Sequence, residues 1–277
     1  MGTLYVVATP IGNLDDMTFR AVRVLQEVAL IAAEDTRKSG RLLKYFEIDT
    51  PMTSYYEYNK LAKLDRILRT LSTADVALIS DAGTPGISDP GYKLVRAALN
   101  GGYKVVPIPG CSAIITALSA SGLPTDRFIF LGFLPRKANE RKAMLQRLIQ
   151  APQTIVFYEA PHRIRESVDD LIRIFGASRQ VVLARELTKR FEEFWRGELA
   201  DAAGHLVTDT PRGEFTVLLA GAKKKDSKWN DDQVQRALLA LQVDGVTGSR
   251  AVKQVARLSR RPKSQVYDLW LALREEY

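Results

Sequence analysis

Apolar residues follow two rhythms along the first 222 positions. Short runs rich in Val, Ile and Leu, bounded by Gly, Pro, Asp or Ser, predict strands at 3–9, 29–33, 76–80 and 103–107. A second set follows at 127–133, 153–159, 179–185 and 214–220. Between them the spacing changes to the helical one. Val22, Leu25 and Val28 recur over 19–28, and Ile164, Val168, Leu171 and Phe175 over 163–175, with Gly176 placed to stop the second helix. Strands alternating with amphipathic helices predict an α/β protein. The break at Leu123-Pro124-Thr125 divides it into two lobes, residues 1–122 and 123–222.

Beyond this the rhythm becomes purely helical. Residues 221–229 (GAKKKDSKW) carry charge without apolar periodicity and read as a linker. Three short helices are expected over 230–277. Asp231 or Asp232 caps the first, which carries Val234, Leu238 and Leu241. Ser249 caps the second, with Val252, Val255 and Ala256 inward. Ser264 caps the third, with Val266, Leu269, Trp270 and Leu273 inward. The turn at 259–263 between the last two helices suggests a helix-turn-helix arrangement. No repeat of 20–50 residues is present.

At 277 residues, 46% apolar, the chain can build two modest cores and an appendage. The single cysteine, Cys111, cannot form an internal disulfide, which fits a reducing compartment. The chain has no uncharged apolar stretch of membrane-spanning length and opens without a basic leader. A cytoplasmic protein with no membrane partner is therefore expected. Forty Lys and Arg against 32 Asp and Glu give a net charge of +8, which favours polyanionic partners. Placement sharpens this. Arg250, Lys253, Arg257, Arg260, Arg261 and Lys263 follow one another with no intervening acid, downstream of Lys223, Lys224 and Lys225. The alternative is a solvated helix face; the lack of interspersed carboxylates turns the reading toward nucleic acid.

Candidate chemistry gathers where strands end. Four segments, 9–13, 80–86, 107–113 and 158–163, break into small, polar, Gly and Pro residues directly after a strand. In open α/β sheets ligands bind there. Neither G-x-G-x-x-G after the first strand nor a P-loop motif occurs, which argues against a Rossmann dinucleotide and against ATP hydrolysis. Two histidines, His162 and His205, and one thiol offer no metal-ligand spacing, so no metal is expected. A G-x-S-x-G hydrolase elbow is also missing.

These segments carry a resemblance. ATPIGNLDD, AEDTR (33–37), SDAGTPGISDPG (80–91), PIPGCSA, FYEAPHR (157–163), ARELTK (184–189) and GEFTVLLAG (213–221) resemble the tetrapyrrole methylase superfamily. They are most similar to its ribosomal branch, the small-subunit rRNA (cytidine-2′-O)-methyltransferases, over nearly the whole chain. The first loop departs from the G-x-G-P-G-D of the tetrapyrrole enzymes, so a porphyrinoid substrate is not carried over. The resemblance implies a two-lobed class III methyltransferase fold with the helical appendage. It also implies S-adenosyl-L-methionine as donor, a cytidine ribose in the decoding region of 16S rRNA as acceptor in the 30S subunit, and a homodimer. Motif by motif, the donor would be held by Pro10, Asp81, Ala82, Gly83, Ile87, Ser112, Ala113, Tyr158, Leu187 and Thr216.

Methyl transfer to a ribose hydroxyl gains from a positioned base. Asp35 in AEDTR is the first candidate, because the aspartate at that motif position is the proposed proton acceptor in the tetrapyrrole branch. Its alternative role is to pair with Arg37 or to cap the next helix. Glu34, Glu159 and Glu186 are rivals. Arg37, Arg163, Arg185 and Lys189 beside the pocket are expected to contact RNA phosphates, with 250–263 supplying sequence-independent affinity. Arg136, Lys137, Arg141 and Lys142 form a further candidate track. Two rival functions stay open: a tetrapyrrole- or diphthine-type methylase, and a ligand-sensing DNA-binding regulator.

Overall fold

The computed structural model describes residues 1–55, 60–208, 212–222, 229–246 and 248–275. The chain divides into two compact units, residues 1–222 and 223–277. Most of the expected linker, 223–228 with Lys223, Lys224 and Lys225, lies outside the described residues.

The first unit contains both sheets. The N-terminal half runs β1 (Thr3–Val7), α1 (Phe19–Glu27), β2 (Leu30–Ala33), α2 (Thr36–Tyr45), β3 (Met52–Ser54), α3 (Lys60–Leu71), β4 (Val76–Ile79), α4 (Tyr92–Asn100), β5 (Lys104–Ile108) and α5 (Ala113–Ser121). Its strands pair in parallel in the order β3-β2-β4-β1-β5. β2 (LIAA) and β4 (VALI) are buried at every position, as strands covered on both faces require. Thr18 caps α1 by accepting from the Ala21 amide at 3.1 Å, and Ala21, Val24 and Leu25 turn inward.

After the left-handed turn at Gly122 the second half follows: β6 (Phe128–Phe133), α6 (Ala138–Gln146), β7 (Thr154–Glu159), α7 (Ile164–Phe175), β8 (Gln180–Arg185), β9 (Glu193–Glu198), α8 (Leu199–Thr208) and β10 (Phe215–Leu219). These strands form a mixed sheet, β6-β7-β10-β8-β9, in which only β6 and β7 run parallel. The expected break at 123–125 is the passage from one sheet to the other. One compact core joins the halves. Ile114, Ala117 and Leu118 of α5 pack on Val156, Val182, Ala184 and Leu218 of the second sheet.

All eight expected strands are present within a residue or two. Two more, β3 and β9, were not anticipated. β3 is three residues long, and β9 (EFWRGE) carries three charges; both sit at sheet edges. Edge strands lack the continuous apolar run that marks buried ones.

The second unit is three helices, α9 (Asp231–Val243), α10 (Ser249–Ser259) and α11 (Lys263–Glu275), around Val234, Leu238, Ala251, Val252, Val255 and Val266. The inward residues are those expected, but the caps differ. Asn230, not an aspartate, caps α9, in a capping box with Gln233. Gly248 occupies the cap of α10, and α11 begins at Lys263, one residue before Ser264. Competing short polar residues at adjacent positions cannot be ranked without the backbone.

Candidate active site

Three loops at the carboxyl ends of the parallel strands are stitched together. Thr9 and Gly83 exchange both backbone hydrogen bonds at 2.9 Å, and the Thr84 hydroxyl donates to the Cys111 carbonyl at 3.1 Å. A fourth loop reaches them from the second sheet. A Cβ on Gly12 would come within 2.9 Å of both the Leu187 carbonyl and Thr188 Oγ1, so only glycine allows this approach. That loop is itself bent, with Glu186 and Thr188 in the left-handed region at φ 50° and 65°.

Together these loops enclose a cavity of about 480 Å³. Nine of the ten expected donor-site residues line it: Asp81, Ala82, Gly83, Ile87, Ser112, Ala113, Tyr158, Leu187 and Thr216. Pro10 does not; it faces an adjoining cavity of about 310 Å³, whose wall shares Ile11, Lys38, Asp81 and Ala82. Ile87 is exposed and Leu187 is buried. Tyr158 stands edge-on to Phe130 and tilted to Phe133, with centroids 5.2 and 5.4 Å away. Burial pushes its hydroxyl up to about 12, reinforced by Asp89 and Glu214.

The cavity is rich in carboxylates: Glu34, Asp81, Asp89, Glu186 and Glu214. Two are neutralised. Lys38 meets Asp81 at 2.7 Å and Lys189 meets Glu186 at 2.8 Å. Burial raises Glu34, whose carboxylate accepts from the Asp81 amide at 3.3 Å. Asp89, on the turn after β4, is pushed up to about 6, first by burial and then by the charge of Glu34. Asp89, Lys38 and Glu214 were not anticipated, although all three lie inside or beside the motif segments 33–37, 80–91 and 213–221.

Asp35 takes the role that the sequence left as its alternative. Its Oδ1 accepts from the Arg37 amide at 2.9 Å as the N-cap of α2, and Arg37 also grips both carboxylate oxygens. That side-chain pairing holds its carboxyl down at about 2. Asp35 lines neither cavity. Glu159 is fully buried and occupied by the Ser167 hydroxyl, the Ala160 amide and Arg163.

Several expected RNA-contacting cations hold the fold together instead. Arg163 is 14% exposed and donates to the carbonyls of Leu134 and Pro135 at 2.8 and 3.1 Å. Arg185 meets Glu193 at 2.5 Å and is 18% exposed. Arg261 pairs with Asp231 and reaches the Trp229 carbonyl. Arg141 is fully buried against Asp170, at 2.7 Å, and Glu166, so it is no phosphate track. Arg37 and Lys189 stay at the surface, each with one acidic partner. Arg250, Lys253, Arg257, Arg260 and Lys263 are exposed. Among the described residues no group of three or more His, Cys, Asp or Glu side chains is arranged to hold a metal ion, and no helix is long and apolar enough to cross a membrane.

A two-sheet α/β unit with a loop-lined cavity at the strand ends has counterparts among methyl-transferring proteins. Residues 3–203 match the family of tetrapyrrole (corrin/porphyrin) methylases, and the chain belongs to that family. Within it, the chain is 48% identical over 275 residues to the ribosomal RNA small subunit methyltransferase I of Synechocystis sp., covering 99% of each chain. Its counterparts of that name in Pseudomonas aeruginosa and Bacillus subtilis are 55% identical over 79% of each chain, and 42% identical over 98% of this chain and 94% of theirs. Among solved structures, the cobalt precorrin-4 methyltransferase CbiF aligns with a TM-score of 0.60 at 16% identity, covering 79% of this chain and 94% of that one. A uroporphyrin-III C-methyltransferase from Thermus thermophilus, complexed with S-adenyl homocysteine, aligns at 0.54 and 19%, covering 79% and 97%. At such identities these structures speak for the fold alone.

Proposed function

We propose that this protein transfers a methyl group from S-adenosyl-L-methionine to the 2′-hydroxyl of a cytidine ribose in 16S rRNA of the small ribosomal subunit. The observation that carries the reading is the convergence of nine expected donor-site residues, from the turns after β4, β5 and β8 and from strands β7 and β10, on one cavity. The relatives of 42–55% identity bear the name of a ribosomal RNA methyltransferase, whereas the solved uroporphyrin, precorrin and diphthine enzymes are alike at 12–20%. That contrast disfavours a small porphyrinoid acceptor and a purely DNA-binding role.

The cavity fits the donor's chemistry. Its volume falls within the range of small-molecule sites. Carboxylates outnumber its two lysines, which suits a sulfonium cation. Ser112 caps α5 without a side-chain hydrogen bond, leaving amides at the helix start for the donor's carboxylate. When bound, the donor supplies an activated methyl and its own leaving group, so the protein's task is alignment and proton removal. The aromatic wall of Phe133 and Tyr158 offers a face for an unstacked base. Exposed Arg250, Lys253 and Arg257 recur on one side of α10 and would hold RNA phosphates, with Arg260, Lys263, Arg37 and Lys189 as further contacts. The resemblance that implies rRNA also implies action as a homodimer.

Transfer of labelled methyl from the donor into 30S particles, naked 16S rRNA and uroporphyrinogen tests this reading. Label in rRNA at a 2′-O-methylcytidine, located by mass mapping, is the expected result. Label only in the porphyrinoid would overturn it, as would label in none of the three acceptors.

A further inference from the structure

We propose that Asp89 is the group that takes the proton from the ribose hydroxyl, with the buried Ser80 hydroxyl as its positioning partner. The inference rests on the proposed RNA methyl transfer and names the base that reaction needs. It follows from asking what each carboxylate around the cavity is already doing. Asp35 caps α2, is gripped by Arg37 and lies outside the cavity. Glu159 is sealed in the core. Asp81 and Glu186 are each held by a lysine, and Glu34 accepts the Asp81 amide. Glu214 is exposed at the cavity rim. Among the described carboxylates that line the cavity, Asp89 is half-buried and is the one whose partner is a neutral side-chain hydroxyl rather than a cation or a backbone amide.

Its surroundings suit a group that gains and loses a proton. Glu34 after β2, Asp81 after β4 and Glu214 before β10 face it with like charge, and the Tyr158 hydroxyl of β7 adds a further neutral neighbour. The two lysines that line the cavity, Lys38 and Lys189, are occupied by Asp81 and Glu186. Ser80, 1% exposed, donates to the Ala82 carbonyl at 3.2 Å, which leaves its oxygen to accept from a protonated Asp89; a rotation of the same hydroxyl lets it donate to the ionised one. A base whose affinity for protons sits near the working pH is the efficient kind, and Asp35, held at about 2, is a poor one. In the step, the ribose O–H bond breaks with its proton going to an Asp89 oxygen, and the oxygen bonds to the methyl carbon. The sulfur–methyl bond breaks with its electron pair kept on sulfur, giving a neutral thioether, and Asp89 returns the proton to solvent.

Three measurements on the full chain decide the matter. In the donor-free protein, carbon-13 NMR of labelled aspartates should show the Asp89 carboxyl, assigned by its loss in Asp89→Asn, titrating near pH 6, and Ser80→Ala should move that midpoint upward. In turnover, Asp89→Asn should lower kcat by roughly 10²–10⁴-fold and abolish the acid limb of the pH profile. Its uptake of S-adenosylhomocysteine, read by calorimetry, should change by less than about threefold, while Ser80→Ala shifts the acid limb in step with the NMR midpoint. Turnover of Asp89→Asn within a few-fold of the parent overturns the proposal, as does loss of donor-product uptake with kcat intact. Should Asp89→Asn fail to fold, the Ser80→Ala profile decides, and an unmoved limb refutes the idea. A parent protein that methylates no RNA would sink the functional reading while the NMR titration still stood.

Discussion

Replacing Asp89 by asparagine should stabilise this protein above pH 6, with the gain shrinking as pH falls toward 4. The ordinary carboxyl titrates near 3.8, and in the fold burial and neighbouring acids lift Asp89 to about 6. Between those values the unfolded chain ionises this group while the folded chain keeps it protonated. Stability is therefore fully present below pH 3.8, falls as pH rises to 6, and is constant beyond. A shift of about two pH units corresponds to about 3 kcal/mol, and water in the open cavity screens this to about 1–2 kcal/mol. Asparagine has the same shape, stays neutral throughout and still meets the Ser80 hydroxyl, so the variant escapes the loss. For a unit of this size the gain corresponds to about 2–8 °C in Tm. Urea unfolding of parent and variant at pH 4, 5, 6 and 7.5, at fixed ionic strength, isolates the group, because every other titration cancels in the difference. A difference that stays flat with pH, or a variant less stable than its parent at pH 7.5, would refute the reasoning.

Other parts of the fold make different demands. Asp170→Ala removes the buried partner of Arg141, leaving it only the exposed Glu166 carboxylate, and should cost about 3 kcal/mol in thermal or urea unfolding, whereas an Arg141→Met, Asp170→Leu pair should recover most of it. Asp35→Asn should retain methyl transfer within a few-fold, since the side chain is a cap; loss of turnover with the fold intact would return Asp35 to the mechanism. A Cβ on Gly213, at φ +68°, would stand 2.0 Å from a Glu186 carboxylate oxygen, so Gly213→Ala should weaken uptake of S-adenosylhomocysteine by about tenfold or more in calorimetry. Neutralising Arg250, Lys253 and Arg257 should flatten the salt dependence of rRNA binding by about two charges, while Arg261→Gln should instead lower the melting temperature of the helical unit.

Much of this molecule is written in local pattern. Apolar runs such as VALI at 76–79 can be satisfied only by burial on both faces, and turn residues after them can only be loops. Strands, most helices and the mouth of the cavity were therefore legible along the chain, and the resemblance of the loop motifs picked out nine residues that line it. What tertiary structure decided is which charges are free. Arg141, Arg163 and Arg261 read like the surface cations around them until the fold brings Asp170, backbone carbonyls and Asp231 against them. Asp35 and Asp89 are both short acids beside strand-end turns. One is tied to an arginine and the other is walled off among like charges, and the energy of a charge is set by such neighbours in space, not by its neighbours in sequence.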